Sequence, residues 1–210
     1  MNLESLFAFL VASGLIGLAP GPDNIFVLTQ SALYGLKSGV IITLGLCTGL
    51  IVHTVAVALG VAAIFQTSTV AFNALKFVGA LYLIYLAWQA FMEKASSVDS
   101  SGRFSLSSKD LYLRGIIMNI TNPKVSIFFL AFLPQFTNPQ NGNLVLQFCT
   151  LGGIFIFVSL IIFSSVAFLS GSIGNWLASS PKNQSLLNRV AGVVYIALFL
   201  KLITAGVDSL

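Results

Sequence analysis

Charged residues are scarce in this sequence. Asp, Glu, Lys and Arg make up only 8% of the 210 residues, whereas 57% are hydrophobic. Soluble domains carry about 25% charged residues, so the composition excludes an ordinary soluble domain and indicates an integral membrane protein. The net charge of +4 does not indicate nucleic-acid binding, because the basic residues lie in short loops between apolar runs.

Cysteine and histidine are also rare. Cys47 and Cys149 lie in separate apolar runs without a Cys-x-x-Cys spacing, so we expect buried, reduced packing residues and no disulfide. His53 is the only histidine. The sequence contains no metal-ligand cluster, Walker-type phosphate loop or Ser/His/Asp arrangement, so we expect no metal, no cofactor and no enzyme activity.

Long hydrophilic stretches are also few, and six apolar runs fill most of the chain. A helix needs about 20 apolar residues to cross a membrane. Between the fifth and sixth runs, Gly171–Asn188 is expected to be a loop. The spans are predicted at about Ser5–Leu33, Gly39–Phe65, Ala71–Met92, Leu111–Phe136, Leu144–Leu169 and Arg189–Val207.

Two of these spans contain helix-breaking residues. Span one is interrupted by Pro20, Gly21 and Pro22, and span four by Asn122-Pro123-Lys124. Proline lacks the N–H donor and clashes with the carbonyl one turn earlier. Hydrocarbon supplies no water to the freed carbonyl, so such a break is tolerated only against protein or a polar cavity. Spans one and four are therefore predicted to be discontinuous.

The two halves of the chain resemble each other. Lys76-x-x-Gly79-x-x-Tyr82 in span three matches Arg189-x-x-Gly192-x-x-Tyr195 in span six. Three spans per half would place the halves in opposite orientations, as in secondary transporters whose broken helices meet near the midplane. The predicted fold is an all-α integral membrane protein with six transmembrane helices in two inverted three-helix repeats, helices one and four being broken. Residues 1–210 form one transmembrane domain: repeat 1 is 1–95, a cytoplasmic linker is 96–110, and repeat 2 is 111–210.

The basic residues predict the orientation of the chain. Cytoplasmic loops are enriched in Lys and Arg, and the side of the membrane opposite these loops holds only Lys76, at the mouth of span three. This distribution predicts a cytoplasmic linker and places both termini outside. The loops after spans one, three and five hold Lys37, Lys94, Arg103, Lys109 and Lys182.

Asp23 and Lys124 directly follow the two breaks. A charge at the bilayer centre costs about 2.5–3.5 kcal/mol on insertion scales, so each needs a partner or water. Asp23 is expected to bind a substrate ammonium or carry a proton; alternatively, it is a first-turn acid favoured by the helix dipole. Lys124 holds a substrate carboxylate or only neutralises Asp23, and both interpretations stay open. Together the two charges suit a zwitterion.

Four further polar residues are candidates for the same site. His53 can relay protons or form a neutral hydrogen bond between helices. Asn24, Asn119 and Asn122 either line the cavity or satisfy backbone groups beside the breaks, and for Asn119 we favour the second interpretation. The amide groups that follow Pro22 add an anion site at the start of the half-helix.

Several motifs together resemble the LysE/RhtB amino-acid exporter family. They are Leu18-Ala19-Pro20-Gly21-Pro22-Asp23 with Gly35 and Gly39, and Asn122-Pro123-Lys124 followed by Phe128-Phe129 and Leu133-Pro134-Gln135-Phe136. The resemblance implies efflux of amino acids from the bacterial cytoplasm across the inner membrane, driven by the proton gradient. It also implies functional roles for residues 20–23 and 122–124. Val125 departs from the pattern, because a small Ala is frequent there.

We therefore expect a secondary active exporter of small neutral amino acids or their derivatives that works by proton antiport. Its expected partners are the substrate, protons and the lipid bilayer, with a homodimer left open. One alternative is an exporter of another small solute, such as an inorganic cation. Two others are an intramembrane enzyme that uses Asp23 and His53, and an assembly subunit that transports nothing.

Overall fold

The computed structural model describes residues 1, 3–61, 69–93 and 106–204. These residues form helices joined by short connections, and no β-strand occurs among them. A π-helical turn, Val57–Val61, extends α3, and a second one, Phe128–Phe132, extends α6 and leads into the 3-10 turn Leu133–Phe136. The α-helices of the described ranges are α1 Leu3–Leu18, α2 Pro22–Tyr34, α3 Leu36–Ala56, α4 Thr69–Met92, α5 Ser108–Thr121, α6 Pro123–Ile127, α7 Leu144–Phe168, α8 Ser170–Ser179 and α9 Pro181–Thr204.

Four of these helices are long and apolar enough to cross a membrane, and two bent pairs complete the set. The straight spans belong to α3, α4, α7 and α9. The pair α1 and α2 is bent by 59°, and α5 is bent by 50° from the segment Pro123–Phe136. If each bent pair is one span, the described chain has six spans. The predicted breaks in helices one and four are confirmed.

Each bend begins a new helix at a proline. Pro22 is the first residue of α2 and Pro123 the first of α6, where the missing N–H is not needed. The Oδ1 atom of Asn122 accepts a hydrogen bond of 3.0 Å from the backbone N–H of Lys124 and so caps α6. Proline therefore ends one half-helix and starts the next.

The region between spans five and six was predicted wrongly. The expected loop Gly171–Asn188 contains α8 and the first turns of α9, which begins at Pro181 and not near Arg189. Pro181 is pre-organised for a first helical position, and Ser180 Oγ accepts a hydrogen bond of 3.2 Å from the backbone N–H of Lys182. These starting residues set the boundary, whereas apolar content alone placed it too late.

Two smaller expectations have different outcomes. Cys47 is buried as predicted, but Cys149 is exposed on α7, because a membrane span presents apolar side chains outward as well as inward. Most of the predicted linker 96–110 lies outside the described residues. Its last three residues form the first turn of α5, where Ser107 Oγ accepts a hydrogen bond of 3.2 Å from the Asp110 N–H.

Glycines bring α3 and α5 into backbone contact. A Cβ atom built on Gly45 would lie 2.2 Å from the carbonyl oxygen of Tyr112 and 3.1 Å from the Cα of Gly115. On Gly49 it would lie 2.7 Å from the Asn119 side chain. Glycines with the spacing Gly45-x-x-x-Gly49 thus allow a close helix approach that fixes α5 beside α3.

Two apolar clusters form the interior. The larger one joins α1, α3, α4, α6, α7 and α9 and contains Phe128, whose ring is tilted against that of Phe155 with the centroids 5.0 Å apart. The smaller one joins α2, α3, α5 and α7 and includes Phe163. Both bends lie between these two clusters.

Candidate functional site

The buried polar side chains of the two bends share one cavity. Its volume is about 10 Å³, which is roughly the space for one water molecule. Phe155 belongs to the larger apolar cluster and Phe163 to the smaller, so the cavity lies where the clusters meet. The residues that line it are Ile16, Gly17, Asp23, Leu50, Asn119, Lys124, Val125, Phe155, Ser159 and Phe163.

The acid and the amine hold matching positions in the two bends. Asp23 follows Pro22 at the start of α2, and Lys124 follows Pro123 at the start of α6. Asp23 is 1% exposed and Lys124 is 8% exposed. Burial of two opposite charges around one small space produces a dipolar site at the crossing of the broken spans.

The Lys124 ammonium group caps the end of α1. It donates to the Ala19 carbonyl at 2.9 Å and to the Ile16 carbonyl at 3.4 Å. Pro20 has no N–H, so the Ile16 carbonyl has lost its intrahelical donor. Helix C-terminal carbonyls favour a cation. A Cβ on Gly21 would lie 2.9 Å from Nζ, so glycine leaves room for the amine.

The Asp23 carboxylate is only partly satisfied. Its Oδ2 accepts a long hydrogen bond of 3.5 Å from Nδ2 of Asn119, and its Oδ1 has no partner. Nearby, Asn119 Oδ1 and Asn122 Nδ2 are also buried without a partner. Buried polar groups are normally paired, so these atoms retain hydrogen-bonding capacity at the cavity. The Lys124 amine bonds to backbone carbonyls. This role was not among the two predicted for it, which were to hold a substrate carboxylate or to neutralise Asp23.

The sequence interpretation missed two cavity residues. For Asn119 the backbone role was preferred, yet its side chain bonds to Asp23. Ser159 was not considered, although it is 2% exposed and lines the cavity. The pattern that could have indicated it is the four-residue spacing of Leu151, Phe155, Ser159 and Phe163, which puts one hydroxyl in the buried apolar stripe of α7.

His53 lies beside the cavity and bonds to the second bend. Its Nε2 is 3.2 Å from the Asn119 carbonyl, and its ring centroid is 5.6 Å from that of Phe129. Pro123 cannot donate to the Asn119 carbonyl, which accepts instead from the backbone N–H of Asn122 at 3.1 Å, and an Nε2–H tautomer of His53 adds a second hydrogen bond. For His53 the sequence left two interpretations open, a proton relay and a hydrogen bond between helices, and this contact is a bond of the second kind.

The remaining candidates also bond to the backbone of the bends. Asn24 Nδ2 donates to the Gly17 carbonyl at 2.8 Å, and Asn122 caps α6 as described above. The Tyr195 hydroxyl donates to the Pro20 carbonyl at 3.4 Å. Side chains of both halves therefore satisfy the carbonyls that the first bend leaves free.

This arrangement presents acceptors and donors around one apolar-walled space. At the cavity, Asp23 Oδ1 and Asn119 Oδ1 can accept hydrogen bonds and Lys124 Nζ can donate. Asn122 does not line the cavity, but its Nδ2 is a further donor beside the Asp23 carboxylate. An ammonium group and a carboxylate on one small molecule match this set. Within the described residues no group of three or more His, Cys, Asp or Glu side chains could hold a metal ion.

Comparisons with known proteins agree with this architecture. The sequence model of the family described as LysE type translocator matches residues 15–206. No solved structure matches the chain.

Three relatives span nearly the whole chain. The homoserine/homoserine lactone efflux protein of Salmonella typhimurium is 36% identical over 197 residues, which are 93% of this chain and 94% of the relative. A leucine efflux protein of Enterobacter sp. (strain 638) is 28% identical over 202 residues, 94% of each protein. The uncharacterized membrane protein YrhP of Bacillus subtilis is 29% identical over 208 residues, 95% of this chain and 98% of the relative. The resemblance seen in the motifs is confirmed, and the chain belongs to the LysE type translocator family.

Proposed function

We propose that this protein is a secondary active exporter that moves small neutral amino acids out of the cytoplasm, across the bacterial inner membrane, in exchange for protons. Family membership and relatives named as amino-acid efflux proteins support an exporter of amino acids. The observation that carries the proposal is the cavity in which Asp23 and Lys124, from two separately broken spans, lie together.

The substrate's charged groups determine how it binds. Its ammonium group lies against Asp23 Oδ1 and Asn119 Oδ1, which have no other partner. Its carboxylate lies against Asn122 Nδ2 and the Lys124 amine. No third charged residue is among the described residues that line the cavity, and a charged substrate side chain would therefore stay unpaired there. This favours neutral amino acids.

Exchange with protons follows from competition for Asp23. A carboxylate can hold a proton or form an ion pair with an ammonium group, and one state excludes the other. Protonation from the outside releases the substrate, and deprotonation towards the cytoplasm allows the next substrate to bind. His53 and Asn24 hold the backbone at the two bends, where protons and substrate pass.

Transport requires the cavity to open on one side at a time. Its volume of about 10 Å³ is far below that of an amino acid, so the conformation described has no room for a substrate. In the proposed mechanism the larger apolar cluster closes the cavity on one side and the smaller apolar cluster closes it on the other. Alternating access then consists of separating one cluster while the other stays packed, with the bends at Pro22 and Pro123 between the moving parts.

The test is uptake into inverted inner-membrane vesicles, in which export becomes accumulation. Energised vesicles that contain the protein should accumulate labelled homoserine, threonine or leucine, and a protonophore should abolish the accumulation. Vesicles without the protein are the control. If no member of the panel accumulates, the export function is wrong. If accumulation persists with the protonophore, only the proton coupling is wrong.

A further inference from the structure

One wall of the cavity comes from α7 and differs from the others. Phe155, Ser159 and Phe163 follow one another at four-residue spacing and all line the cavity. Two phenyl rings therefore flank one hydroxyl group. Ser159 is the one hydroxyl-bearing residue among the described residues that line this cavity. The charged groups of the cavity, Asp23 and Lys124, come from the bends.

Most hydroxyl groups in the described spans bond to a backbone carbonyl of their own helix, whereas Ser159 and the half-buried Ser164, both on α7, make no such bond. The hydroxyl groups of Ser13, Thr43, Thr54 and Ser165 donate to the carbonyl four residues earlier, at 2.7–2.9 Å. Within the described part of the chain Ser159 makes no such bond, although the residue is only 2% exposed. Its oxygen is not one of the fully buried atoms that lack a partner, so the hydroxyl is accessible from the cavity that the residue lines. Its hydrogen-bonding capacity faces the cavity.

We propose that Ser159 is a specificity-determining residue that hydrogen-bonds a polar atom on the side chain of the substrate. This inference rests on the proposed export function and adds what the site recognises: a hydrogen-bonding atom on the side chain of a neutral amino acid. The substrate's ammonium and carboxylate groups occupy the polar wall, and its side chain extends towards α7.

The physical basis is the difference between a filled and an unfilled hydrogen bond. A substrate with a side-chain oxygen satisfies the Ser159 hydroxyl, whereas an apolar isostere desolvates the hydroxyl and leaves it unpaired. One neutral hydrogen bond in a dry site corresponds to about fivefold to tenfold in discrimination. The flanking phenyl rings of Phe155 and Phe163 accept the methylene groups of either substrate.

The experiment compares homoserine with norvaline, in which a methyl group replaces the hydroxyl. Initial rates are measured in energised inverted vesicles for the wild-type protein, Ser159→Ala, Ser159→Cys and Ser165→Ala. The Ser165 variant is the matched control, because that residue lies exposed on the same helix and bonds to its own backbone. The wild-type protein and the control should prefer homoserine by about fivefold to tenfold. Ser159→Ala should remove the preference while norvaline transport persists, and Ser159→Cys, a weaker donor of nearly the same size, should lower it.

The outcomes separate this inference from the function on which it rests. If either Ser159 variant inserts and keeps the wild-type ratio of rates, Ser159 does not read the substrate side chain and the export function stands. The same conclusion holds if the wild-type protein transports leucine but does not distinguish homoserine from norvaline. If the wild-type vesicles transport no amino acid, the proposed function fails and this inference fails with it.

Discussion

Pro20 leaves the carbonyl of Ile16 without an intrahelical donor, and Lys124 from the other half of the chain supplies the missing hydrogen bond. The same ammonium bonds to the carbonyl of Ala19. Because these are C-terminal carbonyls of α1, the cation is stabilised by the helix dipole without an ion pair. The amine thus has a structural partner in the conformation described and remains beside the Asp23 carboxylate at the cavity.

At the level of single residues, we expect Asp23→Asn and Lys124→Ala each to abolish export while the protein still inserts. Loss of a hydrogen bond to a charged group costs about 1.5–3 kcal/mol, which corresponds to at least about tenfold in rate. Asparagine cannot exchange a proton, and alanine removes both the cap on α1 and the positive charge. Export is measured by vesicle uptake and insertion by immunoblot of the membrane fraction.

Two charged residues away from the cavity serve as controls for these substitutions. Glu4 is an exposed acid in the first turn of α1, and the Lys76 amine reaches the carbonyl of Ile203 at 3.5 Å, near the end of α9. Glu4→Gln and Lys76→Ala should leave export within about twofold, as surface substitutions usually do. Normal efflux by the Asp23 and Lys124 variants would refute the assigned site.

The sequence allowed the positions of Asp23 and Lys124 to be predicted, because each follows a proline in an apolar run. It did not reveal their partners. The Lys124 amine bonds to residues more than 100 positions earlier, and only the crossing of α1 and α6 brings them together. Ser159 was missed for a similar reason: a serine in an apolar helix usually bonds to its own backbone, and the exception is visible only in three dimensions.

At the level of helices, the sequence predicted both bends but neither the presence of α8 nor the start of α9. Proline acts on the carbonyl four residues earlier, so both breaks follow from local chemistry. The start of α9 at Pro181 and the presence of α8 depend on short polar segments, Ser170–Ser179 among them, that hydropathy does not distinguish from a loop. Serine caps and a first-position proline were the local features that could have indicated them.

The contact between α3 and α5 gives a prediction at this scale. Gly45→Ala should destabilise the protein by about 1–3 kcal/mol, because the new methyl group would overlap the Tyr112 carbonyl and force the two helices apart. That displacement would also lengthen the bond between His53 and the Asn119 carbonyl, since these residues lie on α3 and α5. Thermal unfolding of the purified protein in detergent measures the effect.

Gly153 on α7 provides the matched substitution. It is exposed, and a Cβ there would meet nothing within 4 Å. Gly153→Ala should be neutral or stabilise the protein by about 0.5–1 kcal/mol, because glycine is less favourable than alanine inside a helix. Equal unfolding temperatures for the Gly45 and Gly153 variants would show that the α3–α5 contact is looser than described.

At the scale of the whole molecule, the packing supports the proposed inverted repeat. The second span of each half packs against the first span of the other half: α3 against α5, and α7 against α1 and α2. The third spans, α4 and α9, pack against each other. A pseudo-twofold axis in the membrane plane would produce this exchange, and it would require the two halves to cross the membrane in opposite directions.

That requirement gives a topology that can be tested with two exposed sites. The Lys and Arg distribution predicts that the start of α5 lies in the cytoplasm and the turn before α7 outside. In a background with Cys47 and Cys149 replaced by alanine, Asn141→Cys should react with a membrane-impermeant maleimide on intact cells, and Ser108→Cys should react only after the cells are opened. Both side chains are exposed, so a difference in labelling reports the side of the membrane and not burial. The reverse labelling would invert the orientation and make the proposed transport direction wrong. Labelling of both sites on intact cells would mean that the chain inserts in two orientations, in which case the basic loops do not determine its topology.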